Sequence, residues 1–378
     1  MLIYVVHEGD SVDTIAGKFS VEVSEIIYIN QLLYPYPLAI GQALLIPDEN
    51  GMGVADKRSI LVNGYAYPFI NDRVLQATLP FLTELSVFSY GFDPYGNLIP
   101  PQIAPEWMID EALSARVRPV LTLTPFGSDG MFNNQLITDI VNDQTAGDNL
   151  ISNVIDAVSQ KQYAGADVDF EYIKAEDRDA FTTWVAKLTQ RMNENGFEVS
   201  VALAPKTSDD QPGLLYQGKD YGGLGAAANR VLLMTYEWGY SFSEPMAVAP
   251  VNKIRSVLDY AVTKIPRSKI SMGIPNYGYD WPLPYEKGIT KAATIGNIEA
   301  VRIAIDHGAV IRYDYTAQTP YFNYTDSGIM HEVWFEDVRS MKAKFELVNE
   351  YELSGVGYWQ IMRLFLANWI LLDSIFDI

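Results

Sequence analysis

The chain has 378 residues, room for one large domain and a small one, and its 48% hydrophobic and 20% charged residues are those of a globular protein with a real core. Its formal charge of −20, from 47 acids against 27 bases, argues against nucleic acid and anionic membranes as partners. The absence of cysteine removes disulfides, thiolate zinc sites and cysteine nucleophiles together.

Met1–Glu8 carries only a short apolar run before His7 and Glu8, with no basic segment, and does not read as a secretory signal. No run of 18 apolar residues occurs, so no membrane span is predicted. Residues 1–49 read as a unit of their own. Ile3–Val6 is predicted as a strand, and Gly9-Asp10-Ser11 as a turn ending in a helix cap. Val12–Phe19 and Val23–Asn30 carry helical spacing; Pro35, Pro37 and Gly41-Gln42 break the pattern before a second strand, Ala43–Ile46. A βααβ module this small has a thin core and suits a binding appendage.

The residues Tyr4-Val-Val-His-Glu-Gly-Asp-Ser11, Ile15-Ala16, Asn30 and Ile40–Pro47 resemble a lysin motif (LysM) module over the whole of that segment. The resemblance implies a groove for N-acetylglucosamine-containing glycans between the first turn and the loop before the last strand. Gly9, Asp10, Ser11, Tyr34 and Pro35 would be its binding residues. A small structural domain without ligand is the alternative.

Asp48–Lys57 is polar and Gly-rich and is predicted as a linker. Over residues 58–378 strand-like apolar runs alternate with helix-length amphipathic stretches. The strands are expected at Ile60–Ala66, Val87–Tyr90, Pro119–Thr124, Gly165–Tyr172, Val199–Ala204, Val231–Tyr236, Ile270–Ile274 and Gly355–Trp359. Helices are expected at Glu106–Arg116, Asn149–Gln160, Asp177–Asn193, Val251–Lys264, Trp334–Leu347 and Arg363–Phe376. Eight such repeats predict a (β/α)8 TIM barrel. A doubly wound sheet, the alternative, would want a Gly-rich phosphate turn directly after a strand. Gly223-Leu-Gly225 precedes a strand, so it is expected to be a tight helix against the barrel and no dinucleotide site. His7, His307 and His331 stand apart in sequence and read as structural or surface residues. The long break at 275–332 is rich in aromatics and would emerge at the C-terminal face as an insertion; its rings could stack on sugars or fill a core of their own.

In the fourth strand, Asp167, Asp169 and Glu171 fall on one face, with Ala166, Val168 and Phe170 on the other. On an edge strand such a row would be a solvated face; flanked by apolar segments it reads as a carboxylate cluster. Like charges at this spacing cannot all ionise easily, and Glu171, nearest the strand end, suits a general acid at a glycosidic oxygen. Two acids on one strand do not flank a sugar, which points to a mechanism in which the substrate's own 2-acetamido oxygen is the nucleophile.

Gly165-Ala-Asp167-Val-Asp169-Phe-Glu171 resembles the Asp-Gly-x-Asp-x-Asp-x-Glu signature of glycoside hydrolase family 18, the chitinase-like barrels. Met234-Thr-Tyr236-Glu237 is similar to that family's Met-x-Tyr-Asp segment, and Trp359 to its strand-eight tryptophan. The resemblance implies Glu171 as acid/base, Asp169 as the residue that orients the acetamido group, Asp167 as its proton partner and Tyr236 as donor to the acetamido oxygen. It also implies Tyr65, Met234, Glu237, Asn276 and Trp359 as substrate-binding residues, with no metal or organic cofactor. Ala164, Phe170 and Glu237 depart from the pattern, standing where Asp, Trp and Asp are usual. The variant segments 167–172, 234–239 and 331–337, joined to an N-terminal LysM module, are similar to bacterial spore cortex-lytic N-acetylglucosaminidases, members of which often carry two such modules. Peptidoglycan or another N-acetylglucosamine-containing glycan is therefore the expected partner, the bacterial spore the expected location, and a monomer the expected state. A chitinase and a catalytically inactive chitinase-like lectin are the rivals.

Overall fold

The structure is a computed structural model that describes residues 1–48 and 57–378. Apart from Asp48 and Lys57 themselves, the predicted linker lies outside the described residues. In the N-terminal module β1 (Leu2–Val5) pairs antiparallel with β2 (Ala43–Ile46), from Leu2 opposite Ile46 to Val5 opposite Ala43. Between them lie α1 (Val12–Phe19) and α2 (Val23–Ile29). Ser11 caps α1 reciprocally: its hydroxyl accepts from the Thr14 amide at 3.2 Å while its own amide donates to the Thr14 hydroxyl at 2.9 Å. Asn30 closes α2 onto β2, its amide donating to the Leu45 carbonyl at 2.9 Å and accepting from the Leu45 N–H at 2.7 Å.

Eight parallel strands close into a barrel. They are β3 (Leu61–Ala66), β4 (Glu84–Phe92), β5 (Arg118–Leu123), β6 (Gly165–Val168), β7 (Glu198–Leu203), β8 (Arg230–Leu233), β9 (Ile270–Pro275) and, after the insertion, β15 (Gly355–Trp359). β3 pairs with both β4 and β15, and this closes the ring. Of the outer helices, α3 (Asp72–Thr78) and α4 (Glu106–Ser114) follow β3 and β4. The pair α5 (Gln135–Asn142) and α6 (Gln144–Gln160) follows β5, and α7 (Arg178–Glu194) follows β6. α7 buries Phe181, Trp184, Val185, Leu188 and Met192, the i, i+3, i+4 stripe of a helix facing a core. The Gly-rich stretch before β8 is the short helix α8 (Tyr221–Ala227), where a Cβ on Gly225 would meet the Ile265 side chain at 2.7 Å. α9 (Val251–Ala261) precedes β9.

The insertion is a domainlet with its own sheet. Strands β10 (Gly278–Leu283), β11 (Ala293–Ile295), β12 (Arg312–Asp314), β13 (Thr319–Asp326) and β14 (Ile329–Trp334) form an antiparallel sheet in the order β11-β10-β14-β13-β12, joined by α10 (Asn297–Asp306). Most of its aromatic residues pack on each other: Tyr321 stacks on Trp334 at 4.6 Å between ring centres, and Trp281 and Phe322 are fully buried. His331 meets Asp280 at 2.8 Å, and the His307 ring lies 4.5 Å from that of Tyr324. The helix expected from Trp334 starts later, as α11 (Val338–Glu350), because Trp334 still pairs in the sheet and Asp337 caps the helix through the Arg339 and Ser340 amides. α12 (Leu366–Ile375) ends the chain. Among the described residues no helix is long and apolar enough to cross a membrane.

The N-terminal module is seated on the insertion and on α12. Ile311 N–H donates to the Ile40 carbonyl at 2.9 Å, Arg339 donates to the Gly41 carbonyl at 3.2 Å, and Leu366 N–H donates to the Gln31 side chain at 2.7 Å. Gly41 sits at φ +84°, and a Cβ there would stand 1.9 Å from the Ile311 carbonyl oxygen, so only glycine allows this approach.

Candidate active site

β6 ends at Val168, shorter than its apolar-acidic alternation predicts, although the Asp169 amide still donates to the Leu123 carbonyl at 2.9 Å. The alternation nevertheless separates the side chains. Phe170 is buried against Phe92, Phe181 and Trp184, stacking on the last at 5.7 Å. That anchor turns the flanking Asp169 and Glu171 into the opposite space, a cleft of about 600 Å³ at the C-terminal end of the barrel.

Asp167 lies deepest. In the strand register it stands between Thr122 and Ser200. Its Oδ1 accepts from the Ser200 hydroxyl at 2.6 Å and its Oδ2 from the Tyr65 hydroxyl at 2.9 Å. Burial raises its pKa, and these two hydrogen bonds oppose the rise. Asp169 is 7% exposed, and its Oδ1 has no hydrogen-bond partner among the described residues. Burial first, then the charges of Glu171 and Asp167, hold its pKa well above the ordinary carboxylate value. Glu171, at the mouth, is raised by burial, with the ammonium of Lys219 pulling the other way.

Past the end of β8 the chain turns inward, and the Thr235 hydroxyl donates to the Gly273 carbonyl at 2.8 Å. Tyr236 lines the cleft, its hydroxyl kept neutral by burial and then by the charges of Asp169 and Glu171. A neutral phenol beside carboxylates is a donor. Glu237 sits at φ +67°, an uncommon backbone for a non-glycine residue, and accepts hydrogen bonds from the Tyr277 and Tyr279 hydroxyls, the latter at 2.9 Å. Burial raises its pKa against those two bonds. Trp359 closes the cleft at the end of β15, its ring held edge-on by Phe88 at 4.9 Å and flanked by Tyr65 at 5.9 Å. Among the described residues no group of three or more His, Asp or Glu side chains is disposed to hold a metal ion.

This arrangement can deliver a proton from Glu171, accept an N–H at Asp169 Oδ1 and donate a hydrogen bond from Tyr236 within one cleft. The model of glycosyl hydrolases family 18 matches residues 121–363. The chain belongs to glycosyl hydrolase family 18. The LysM domain model matches residues 4–47 of the same chain. This family 18 protein is 36% identical to a cortical fragment-lytic enzyme of Bacillus subtilis, in an alignment covering 100% of this chain and 99% of that one. It superposes on the crystal structure of the spore cortex-lytic enzyme SleL of Bacillus megaterium with a TM-score of 0.93, at 32% identity, over 99% of this chain and 98% of that one. A chitinase structure from Chromobacterium violaceum matches at 25% identity and a TM-score of 0.78, over 84% of this chain and 98% of that one.

Within this family 18 barrel the cleft collects Asp169, Glu171, Met234, Tyr236, Glu237 and Trp359. Two residues expected to touch substrate do not line it. Asn276 is buried, with its amide N–H groups donating to the Gln360 carbonyl at 3.1 Å and the Arg363 carbonyl at 2.9 Å, so it fastens the chain after β15. Tyr65 lies beneath the acids, its hydroxyl committed to Asp167. Sequence reasoning missed Ser200, although its register partner on the neighbouring strand is Asp167. It also missed Lys219, which nothing local in the sequence connects with β6.

In the LysM module Asp10 accepts from the Tyr4 hydroxyl at 2.8 Å and the His7 amide at 2.7 Å, Gly9 is open at φ +86°, and Ser11 is occupied as the helix cap. The Tyr34 ring is 85% exposed. Tyr34 and Pro35 line a cavity of about 270 Å³ whose opposite wall is α10; Gly9, Asp10 and Ser11 do not line it.

Proposed function

We propose that the protein is a retaining, substrate-assisted N-acetylglucosaminidase acting on spore cortex peptidoglycan, held to that glycan by its LysM module. The observation that carries the chemistry is the buried, unpartnered Oδ1 of Asp169 in a cleft shared with Glu171 and Tyr236. A buried acceptor without a donor costs about 1–3 kcal/mol, and a bound acetamido N–H would remove that cost. Glu171 protonates the glycosidic oxygen while the acetamido carbonyl oxygen attacks C1. Asp169 aligns the acetamido N–H, Tyr236 donates to the attacking oxygen, and Asp167, fixed by Ser200 and Tyr65, supports Asp169 as its proton partner. Glu171, now ionised, then takes a proton from the water that opens the oxazolinium ring, and the configuration is retained. Trp359 forms the floor under the sugar, Met234 lines its side, and Glu237, oriented by two phenols, meets a hydroxyl of the substrate.

The cortex as substrate, and the spore as location, rest on the relatives whose names carry that activity, at 36% and 32% identity over nearly the whole chain. Gly9–Ser11 and Tyr34–Pro35 form the glycan face of the LysM module in this reading, and the enzyme acts as a monomer. Incubation with cortex muropeptides and with chitin oligomers, followed by mass spectrometry of the new reducing ends, tests it. New reducing-end N-acetylglucosamine from muropeptides is the expected result. Turnover of chitin oligomers alone would replace the reading with a chitinase, and tight binding of either without turnover would replace it with a lectin.

A further inference from the structure

Beneath the acid cluster lies a lysine that neither the family signature nor the proposed chemistry uses. Lys219 stands between Gly218, where a Cβ would meet the Ile173 carbonyl oxygen at 2.3 Å, and Asp220, whose carboxylate caps α8 through the Gly223 amide at 3.1 Å. Its side chain is 0% exposed. The ammonium donates to the Phe170 carbonyl and, at 3.2 Å, to the Ala202 carbonyl, and it lies 6.0 Å from the centre of the Phe181 ring. The main chain under it is pinned in turn, because buried Lys206 donates to the Lys219 carbonyl at 3.0 Å.

A buried ammonium is costly unless opposite charge offsets it. The charges that do so are, from largest to smallest, Asp169, Glu171 and Asp167. A leucine or methionine would fill the same space without that penalty, so packing alone does not account for an amine at this position. Phe170, whose carbonyl it holds, is the residue between Asp169 and Glu171, and Ala202 lies on the adjoining strand β7. We propose that Lys219 is a positioning residue for the reaction: it fixes the backbone between the two working acids and supplies the positive charge that lets one of them stay ionised beside the other.

The remaining titratable groups around the cluster do not substitute for it. Tyr65 and Tyr67 from the β3 end and Tyr236 from the β8 end are neutral phenols with raised pKa values. Glu237 adds negative charge. Arg230, bound to Glu84 at 2.7 Å, acts on Asp167 from the far end of the strand. Burial pulls the Lys219 ammonium itself down to about 8, and the charges of Asp169, Glu171 and Asp167 oppose that fall.

This inference rests on the glycosidase reading for its link to turnover, but it can be tested apart from it. Lys219→Met removes the charge and keeps the bulk. Lys219→Cys, alkylated with 2-bromoethylamine in the unfolded state and refolded, restores an ammonium on a chain of nearly lysine length. The protein has no cysteine, so the reagent marks only that position. In Lys219→Met we expect both limbs of the pH dependence of kcat/KM to move up by about one pH unit. The plateau kcat should fall by about tenfold or more, because the backbone between the two acids is no longer held. Aminoethylation of Lys219→Cys should move both limbs back. Unmoved limbs with only a lower melting temperature, or aminoethylation that restores stability and leaves the limbs displaced, would overturn the proposal. Carbon-13 titration of the Glu171 and Asp169 carboxyl groups needs no substrate. A rise in those titrations in Lys219→Met without turnover in either protein would sink the glycosidase reading and support this one. Unchanged titrations would overturn this one whatever the turnover.

Discussion

The floor of the barrel cleft and the open face of the LysM module are both marked by short motifs, but they are built on opposite terms. In the cleft, ionisable groups are buried in close company: Asp167, Asp169 and Lys219 are almost wholly withdrawn from water, and Asp169 Oδ1 has no donor among the described residues. On the module, polar groups are satisfied locally and rings stand in solvent. The Asp10 carboxyl lies below its ordinary value because the His7 amide and the Tyr4 hydroxyl donate to it, and the Tyr34 ring, edge-on to Tyr36, is mostly in solvent. Bond breaking needs groups in protonation states that water would not maintain, and the barrel supplies the packing that maintains them. Holding a glycan needs only a surface already in shape.

That contrast separates rate from retention. The largest effect is expected from Glu171→Gln, which keeps shape and loses the transferable proton: kcat on soluble muropeptides should fall by about 10³–10⁴-fold with little change in KM. A drop of similar size on the same fragments from a LysM substitution would break the contrast. Next, Asp169→Asn should lower kcat by about 10²-fold. It should also raise the melting temperature, because it removes one of three crowded carboxyl groups. The sign follows from the raised pKa of Asp169: a carboxyl held above its unfolded value stabilises the fold fully below that unfolded value, and loses that contribution as pH rises through the folded one. The thermal advantage of Asp169→Asn should therefore widen from acid to neutral pH, and a constant advantage would count against burial as the cause.

A third expectation concerns the wild type. In the proposed mechanism Glu171 is protonated for the first step, and its pKa is raised, so kcat/KM should persist as pH rises through the ordinary carboxylate range and fall only above it. A pH–rate profile with its alkaline limb at the unperturbed glutamate value would contradict that. The smallest effect is expected from Tyr34→Ala: a loss of about 0.5–1.5 kcal/mol, a few-fold to roughly tenfold, in binding to insoluble cortex, with kcat on soluble fragments unchanged. Sedimentation binding against soluble-fragment kinetics would sharpen the comparison, since both readings come from one variant.

The barrel was legible because its strands are short apolar runs separated by helix-length amphipathic stretches, and because Asp167, Asp169 and Glu171 recur with the period of two of a strand. Position across strands was harder to read. Ser200 reaches Asp167 through register alone, and Lys219 reaches the Phe170 carbonyl across a gap of 49 residues. Neither relation leaves a local pattern. Asn276 shows the converse: the family resemblance implies a substrate-binding residue, and in the fold its amide N–H groups are committed to two carbonyls of the chain after β15. In the insertion the aromatic richness was visible, but the antiparallel pairing that consumes most of those rings was not. Tyr277 and Tyr279 reach the cleft residue Glu237 through their hydroxyls.

The seat of the LysM module has a consequence for how the enzyme addresses a polymer. Because Ile40 and Gly41 are bonded through their main-chain carbonyls to Ile311 and Arg339, and no side chain larger than hydrogen fits at position 41, the module cannot swing like a grapple on a cord. Under the proposed function it would work as a ruler: a glycan held by the module would meet the barrel cleft at a set distance from the grip.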